Sequence, residues 1–69
     1  MTTQFNGLEL KLLRQFNELS LEDLGTELNL TRQYLHKVET GQTIPNDQFI
    51  DKVAHFFNVP QTFFMQLKP

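Results

Sequence analysis

The chain has 69 residues, a formal net charge of −2 and no cysteine. Its length predicts one domain with a small core, and the lack of thiols excludes disulfides and thiolate metal sites. No apolar run of the sequence approaches the roughly 20 residues that span a bilayer, and the first residues lack the basic start of a signal peptide. We therefore expect a cytoplasmic protein that uses no cofactor.

The first three predicted helices begin in the same way. Each has a capping residue, an apolar residue directly before it and another apolar residue four positions after it, which is the hydrophobic-staple pattern. These starts predict helix 1 over about residues 7–16, helix 2 over about 21–28 and helix 3 over about 32–39. The caps are Asn6, Ser20 and Thr31, and the staple pairs are Phe5 with Leu10, Leu19 with Leu24, and Leu30 with Leu35.

Helices 2 and 3 have the spacing of a helix-turn-helix. Leu21, Leu24 and Leu28 define the predicted buried face of helix 2, and Asn29 is expected to end that helix in a left-handed conformation. In helix 3 the apolar residues are predicted to face the core, and the remaining residues form a polar outer face. A short helix that carries long hydrogen-bonding side chains and is held by a second helix suits the reading of the DNA major groove. The outer face comprises Arg32, Gln33, His36 and Lys37.

Two further helices complete the prediction. Asn46 caps helix 4 over about residues 47–57, and Pro60 fits the first position of helix 5 over about 60–67. Helix 5 is predicted because Phe63, Phe64 and Leu67 would give it one apolar side. No segment has a strand pattern, so the sequence predicts a compact all-α fold of five helices in one domain, residues 1–69.

A set of residues at unbroken spacing runs through these segments: Leu10-x-x-Leu13-Arg14, Leu19-Ser20-x-x-x-Leu24, Leu28-x-Leu30-Thr31-Arg32-Gln33-x-Leu35-x-x-Val38-Glu39-x-Gly41, Pro45, Ile50, Val53-Ala54, Phe57 and Val59. In these residues the chain resembles the Cro/cI-type helix-turn-helix domains, the lambda-repressor-like or XRE family. The resemblance covers residues 5–67 and implies a nucleoid-associated transcriptional regulator of bacterial or phage origin, usually a repressor, that binds double-stranded DNA.

The resemblance also implies roles for individual residues. Arg14 and Glu39 match a pair that forms an internal salt bridge between helix 1 and the end of helix 3. Arg32, Gln33 and Lys37 match positions where the family reads bases: arginine can bridge O6 and N7 of guanine, and glutamine can bridge N6 and N7 of adenine.

Four other residues are predicted to contact DNA. Ser20 and Thr31 stand at helix N-termini, where backbone N–H groups can bind phosphate. Tyr34 could contact a phosphate or a thymine methyl group, and His36 is a further candidate on the same helix.

Several positions depart from the family pattern. Leu21 stands where the family commonly has a glutamine that binds phosphate, and Gly25 stands where it favours alanine. Gln42 and Thr43 are neutral in a loop that often carries lysine or arginine. Since helix 2 is also acidic and phosphate contacts dominate affinity, we expect a weak hold on the DNA backbone.

The resemblance also implies an oligomeric state. We expect a weak homodimer through helix 5, which would place two recognition helices about 34 Å apart over a palindromic operator.

A narrower resemblance is present at the two ends of these segments. Phe5-Asn6-Gly7-x-x-Leu10 and Val59-Pro60-x-x-Phe63-Phe64 resemble the N-terminal domain of longer regulators fused to ImmA/IrrE-type metallopeptidases.

Other classes of function fit less well. With two histidines and no cysteine the sequence offers no metal motif. Asp47 and Asp51 fit a solvated helix face better than an acid/base pair, and no glycine-rich phosphate loop is present, so we do not expect an enzyme. The alternative is a protein-binding module on the same fold, such as an antitoxin or a docking domain. The acidic helix 2 and the neutral loop favour that alternative, whereas the face formed by Arg32, Gln33 and Lys37 favours DNA.

Overall fold

A computed structural model of the chain describes residues 2–68, with side chains described for residues 4–65. Its four helices are α1 (Gly7–Phe16), α2 (Leu21–Leu28), α3 (Arg32–Glu39) and α4 (Asp47–Phe57). A 3-10 turn at Gln61–Phe63 follows α4, and two short strands, β1 (Thr2–Phe5) and β2 (Met65–Lys68), pair antiparallel. The predicted all-α fold class and the helix-turn-helix formed by the second and third helices are confirmed. The short pair of strands is an addition that the sequence did not predict.

Side-chain caps set the starts of the four helices. The oxygen of each cap accepts a hydrogen bond from a first-turn N–H group that has no partner within its own helix. Asn29 and Asn58 end α2 and α4 in the left-handed conformation, with φ of 59° and 57°. The four cap bonds are Leu8 N–H to Asn6 at 3.1 Å, Asp23 N–H to Ser20 at 2.9 Å, Tyr34 N–H to Thr31 at 3.1 Å and Phe49 N–H to Asn46 at 2.9 Å.

One hydrophobic core joins the four helices to the segment that follows α4. Each helix contributes at least one residue that is almost fully buried, and Phe64 brings the C-terminal segment into the same cluster. Burial of these side chains is the main source of stability in a domain of this size. The buried core residues are Leu10, Leu24, Leu28, Leu35, Val38, Phe49, Ile50, Val53, Ala54 and Phe64.

The predicted fifth helix is wrong. Residues 61–63 form only a single 3-10 turn, and the chain then extends into β2, whose Met65 pairs with Phe5 of β1. The Asn6 N–H donates to the Phe64 carbonyl oxygen at 2.6 Å, and the Phe64 ring stacks on Phe5 at 5.5 Å. A helix over residues 60–67 would leave the backbone groups of β1 without partners, whereas a second strand pairs them.

Candidate nucleic-acid interface

A buried ion pair holds the C-terminal end of α3 against α1. Arg14 Nε donates to Glu39 Oε2 at 2.8 Å, and Arg14 Nη2 donates to Oε1 at 3.1 Å. The third guanidinium nitrogen, Nη1, donates to the carbonyl oxygen of Leu19 at 2.8 Å. Arg14 and Glu39 retain only 8% and 7% of their exposure. The pair that the family resemblance implied is therefore present, and Arg14 also fixes the loop between α1 and α2.

Two glycines allow the other helices to approach α3 closely. A Cβ atom on Gly7, the first residue of α1, would overlap the Val38 carbonyl oxygen at the end of α3. A Cβ atom on Gly25 of α2 would lie 2.6 Å from the Leu30 carbonyl oxygen and 3.6 Å from the Arg32 nitrogen. Gly25 therefore has a packing role that offsets its low helix propensity, because α2 sits directly on the turn that begins α3.

The outer face of α3 borders an open concavity of about 340 Å³. Leu35 and Val38 point into the core, and the polar residues of α3 that line the concavity are all exposed. The structure brings the predicted base-reading residues together here and adds one residue from α2 and one from the following loop. The lining residues are Leu21, Arg32, Gln33, His36, Lys37 and Gln42.

Leu21 and Gln42 are the two members of this set that sequence reasoning did not select. Leu21 was assigned to the buried face of α2, but it is only half-buried. Gln42 reaches the concavity because the N–H groups of Gln42 and Thr43 donate to the Lys37 carbonyl oxygen at 2.8 and 3.2 Å, with Gly41 at a φ of +82°. The first position of α2 and the glycine that ends α3 were the available signals for these two residues.

The caps predicted to bind phosphate have different surroundings. Asp23 Oδ2 accepts the Ser20 N–H at 3.1 Å, and Ser20 Oγ accepts the Asp23 N–H. The Ser20 N–H, and to a lesser extent its hydroxyl, lower the pKa of Asp23 below its ordinary value of 3.8. The start of α2 is thus occupied by a carboxylate. By contrast, α3 has no acid in its first turn, so Thr31 stands at a helix start that favours an anion.

Tyr34 lies at the edge of the α3 face rather than on it. The residue is half-buried, and its ring meets Phe49 of α4 edge-on, with centroids 5.7 Å apart. Beside it is a second open hollow of about 230 Å³ whose lining includes Lys52. Tyr34 therefore has a packing role that is sufficient to explain its position.

Charges of opposite sign lie on neighbouring helices. Arg32 and Lys37 are exposed on α3, while Glu22, Asp23 and Glu27 are exposed on α2. Within the helix-turn-helix the positive charges consequently lie on α3 alone, which favours local contacts over a long-range attraction to the DNA backbone.

Comparison with known proteins identifies this arrangement. A family model described as helix-turn-helix, of the XRE or Cro/cI type, matches residues 10–64. The chain belongs to this helix-turn-helix family. Its members are DNA-binding regulator domains rather than enzymes. No curated protein matches the chain significantly. The narrower resemblance to regulators associated with ImmA/IrrE-type peptidases stays a prediction.

Two further properties of this helix-turn-helix protein concern the described part of the chain. No helix within residues 2–68 combines the length and the apolar character needed to cross a membrane. The described side chains form no cluster of three or more His, Cys, Asp or Glu residues that could hold a metal ion.

Proposed function

We propose that this protein, of bacterial or phage origin, binds a specific sequence of double-stranded DNA and acts as a transcriptional repressor in the cytoplasm, in association with the nucleoid. The observation that carries the proposal is the outer face of α3, where Arg32, Gln33 and Lys37 are exposed around one concavity. The major groove is about 12 Å wide and admits one α-helix. With α3 in the groove, arginine would contact guanine and glutamine would contact adenine.

The way in which α3 is held against the rest of the domain supports this function. Base readout needs side chains whose backbone is held in one position, and α3 is fixed at both ends. The Arg14–Glu39 pair fixes its C-terminal end, and the close packing at Gly25 fixes its start. The long side chains on the outer face can then adapt to bases while the helix stays in place.

We further propose that the protein binds its operator as a weak symmetric dimer over a palindromic site, with recognition helices about 34 Å apart. The expected interface was helix 5, and the observed C-terminal segment is a 3-10 turn and a strand instead. Two aromatic residues near that segment remain partly exposed, Phe56 on α4 and Phe63 in the turn, with 38% and 39% exposure.

Sedimentation should reveal self-association of the wild type, and Phe63→Ala should weaken it. A wild type that stays monomeric at high concentration, with and without DNA, would contradict the proposed dimer.

Selection of binding sites from random DNA at low salt tests the main proposal. The wild type should enrich one palindromic sequence, and the Arg32→Ala/Lys37→Ala variant should lose that enrichment. The matched control, Lys11→Ala/Lys52→Ala, removes the same charge from exposed residues outside the concavity and should enrich the same sequence. Failure of the wild type to enrich any duplex would overturn the proposal.

One observation favours the alternative, a protein-binding module. Three apolar residues spaced four apart on α1, Leu8, Leu12 and Phe16, are 55%, 51% and 85% exposed. Residues with this spacing share one side of a helix, and exposed apolar stripes often mark binding surfaces. If the wild type enriches no DNA sequence, this side of α1 is where a protein partner would dock.

A further inference from the structure

The concavity beside α3 contains one apolar side chain among polar ones. Its five other lining residues carry amide, imidazole, guanidinium or ammonium groups that can bond to base edges. Leu21 has no hydrogen-bonding group in its side chain and is only half-buried. Part of its surface therefore remains available to a ligand in the concavity.

The packing of α2 explains why Leu21 lies at this position. Gly25 approaches the Leu30 carbonyl oxygen and the Arg32 nitrogen, so the side of α2 that carries Gly25 faces the start of α3. Leu21 precedes Gly25 by four residues and hence shares that side. Arg32 is the first residue of α3. The leucine therefore lies beside the residue best suited to read guanine.

The chemistry around Leu21 disfavours a phosphate ligand. Glu22 and Asp23 follow it directly in the first turn of α2, and Asp23 carries a carboxylate bonded to the Ser20 N–H. The Asp23 carboxylate thus already occupies the start of α2, where a phosphate would otherwise bind, and the Leu21 side chain offers a phosphate no hydrogen bond. The major groove also presents an uncharged apolar group, the C5 methyl of thymine, which protein apolar side chains contact.

We infer that Leu21 is a specificity-determining residue that contacts the C5 methyl group of a pyrimidine next to the guanine read by Arg32. The protein then prefers thymine at that step, and it prefers 5-methylcytosine over cytosine there. This inference rests on the proposed function, since it needs α3 in the major groove. Leu21 would then contribute sequence information and not a hydrogen bond to the DNA backbone.

Removal of single methyl groups from the DNA bases tests the inference. Starting from the operator that the wild type selects, each thymine is replaced in turn by uracil, which keeps the base pair and removes only the methyl group. Affinity is measured by fluorescence anisotropy at fixed salt. One thymine beside a guanine in each half-site should show about a fourfold loss per methyl, the change expected for burial of one such group. A second pair of duplexes compares cytosine with 5-methylcytosine at the same position, where methylation should tighten binding.

Protein variants assign the effect to Leu21. Leu21→Ala and Leu21→Gln should bind the thymine and uracil duplexes equally, with folding checked by circular dichroism. Leu12→Ala, which removes an exposed leucine from α1, should keep the wild-type difference. If no thymine beside a guanine is sensitive in the wild type, or if the sensitivity persists in both Leu21 variants, the inference is overturned while DNA binding stands. If the wild type selects no operator, both the inference and the proposed function fail.

Discussion

The inner and outer faces of α3 show how one short helix can separate stability from recognition. On the inner face, Leu35 and Val38 are almost fully buried and Glu39 is paired with Arg14. On the outer face, Arg32 and Lys37 are exposed. Changes on the inner face should therefore lower the free energy of unfolding, whereas changes on the outer face should alter DNA binding and leave stability nearly unchanged.

The largest effect is expected from Arg14→Ala. Removal of one partner from a buried ion pair typically costs about 3–5 kcal/mol, because the other charge is left buried. The variant also leaves the Leu19 carbonyl oxygen without its donor. Urea denaturation should show this loss, with Lys11→Ala, an exposed cation on the same helix, as the control. A loss of only about 1 kcal/mol, as for an exposed pair, would contradict a stabilising role for the inner face.

Arg32→Ala tests the outer face. The variant should lose about 1–3 kcal/mol of discrimination at one guanine position, since a bidentate arginine contact has that value. Its free energy of unfolding should stay within about 0.5 kcal/mol of the wild type, as for other surface changes. Anisotropy with operators substituted at each base pair measures the first quantity, and urea denaturation measures the second. Equal weakening on every duplex would show that Arg32 contacts phosphate instead of a base.

Gly25→Ala, which changes the packing of α2 against the start of α3, should have a smaller effect on the free energy of unfolding. Alanine improves helix propensity by up to about 1 kcal/mol, but its Cβ atom would lie 2.6 Å from the Leu30 carbonyl oxygen. Since overpacking typically costs about 1–3 kcal/mol, we expect a net destabilisation of about 1 kcal/mol in thermal or urea denaturation. The neighbouring exposed residue provides the control, Thr26→Ala, which changes propensity without this overlap. A stabilised Gly25→Ala would show that α2 can move away from the turn.

The predictability of the fold from the sequence depended on how local the signal was. The caps Ser20 and Thr31 and the stop at Asn29 act within one or two helical turns, so their residue types were sufficient. The Arg14–Glu39 pair spans 25 residues, and it was predicted only through the family resemblance. The packing reason for Gly25 was not predicted, because it depends on a carbonyl oxygen of the next segment.

The C-terminal segment shows the opposite case. Its apolar pattern at Phe63 and Phe64 fitted a helix, but the pairing that decides its structure is with β1 at the other end of the chain.

In the candidate site, the polar residues of α3 could be selected from the sequence because a helix exposes its outward side chains in a regular order. Leu21 was not selected, although its place at the first position of α2 was a signal, because an apolar residue there is equally consistent with a core role.

The smallest effect is expected at the start of α2, where the Asp23 carboxyl makes the stability of the folded protein depend on pH. The Ser20 N–H lowers the pKa of the Asp23 carboxyl in the folded protein below the ordinary value of 3.8. A lowered pKa stabilises the folded state above about pH 4, near the unfolded value, and this contribution disappears as the pH falls through the folded value. Asp23→Asn should therefore be less stable than the wild type at pH 7, and the difference in melting temperature should shrink toward pH 2.5. Glu22→Gln removes one charge from the same turn without the Ser20 bond and should be less destabilising at pH 7. A difference between wild type and Asp23→Asn that stays constant with pH would show that the cap acts through its geometry and not through its charge.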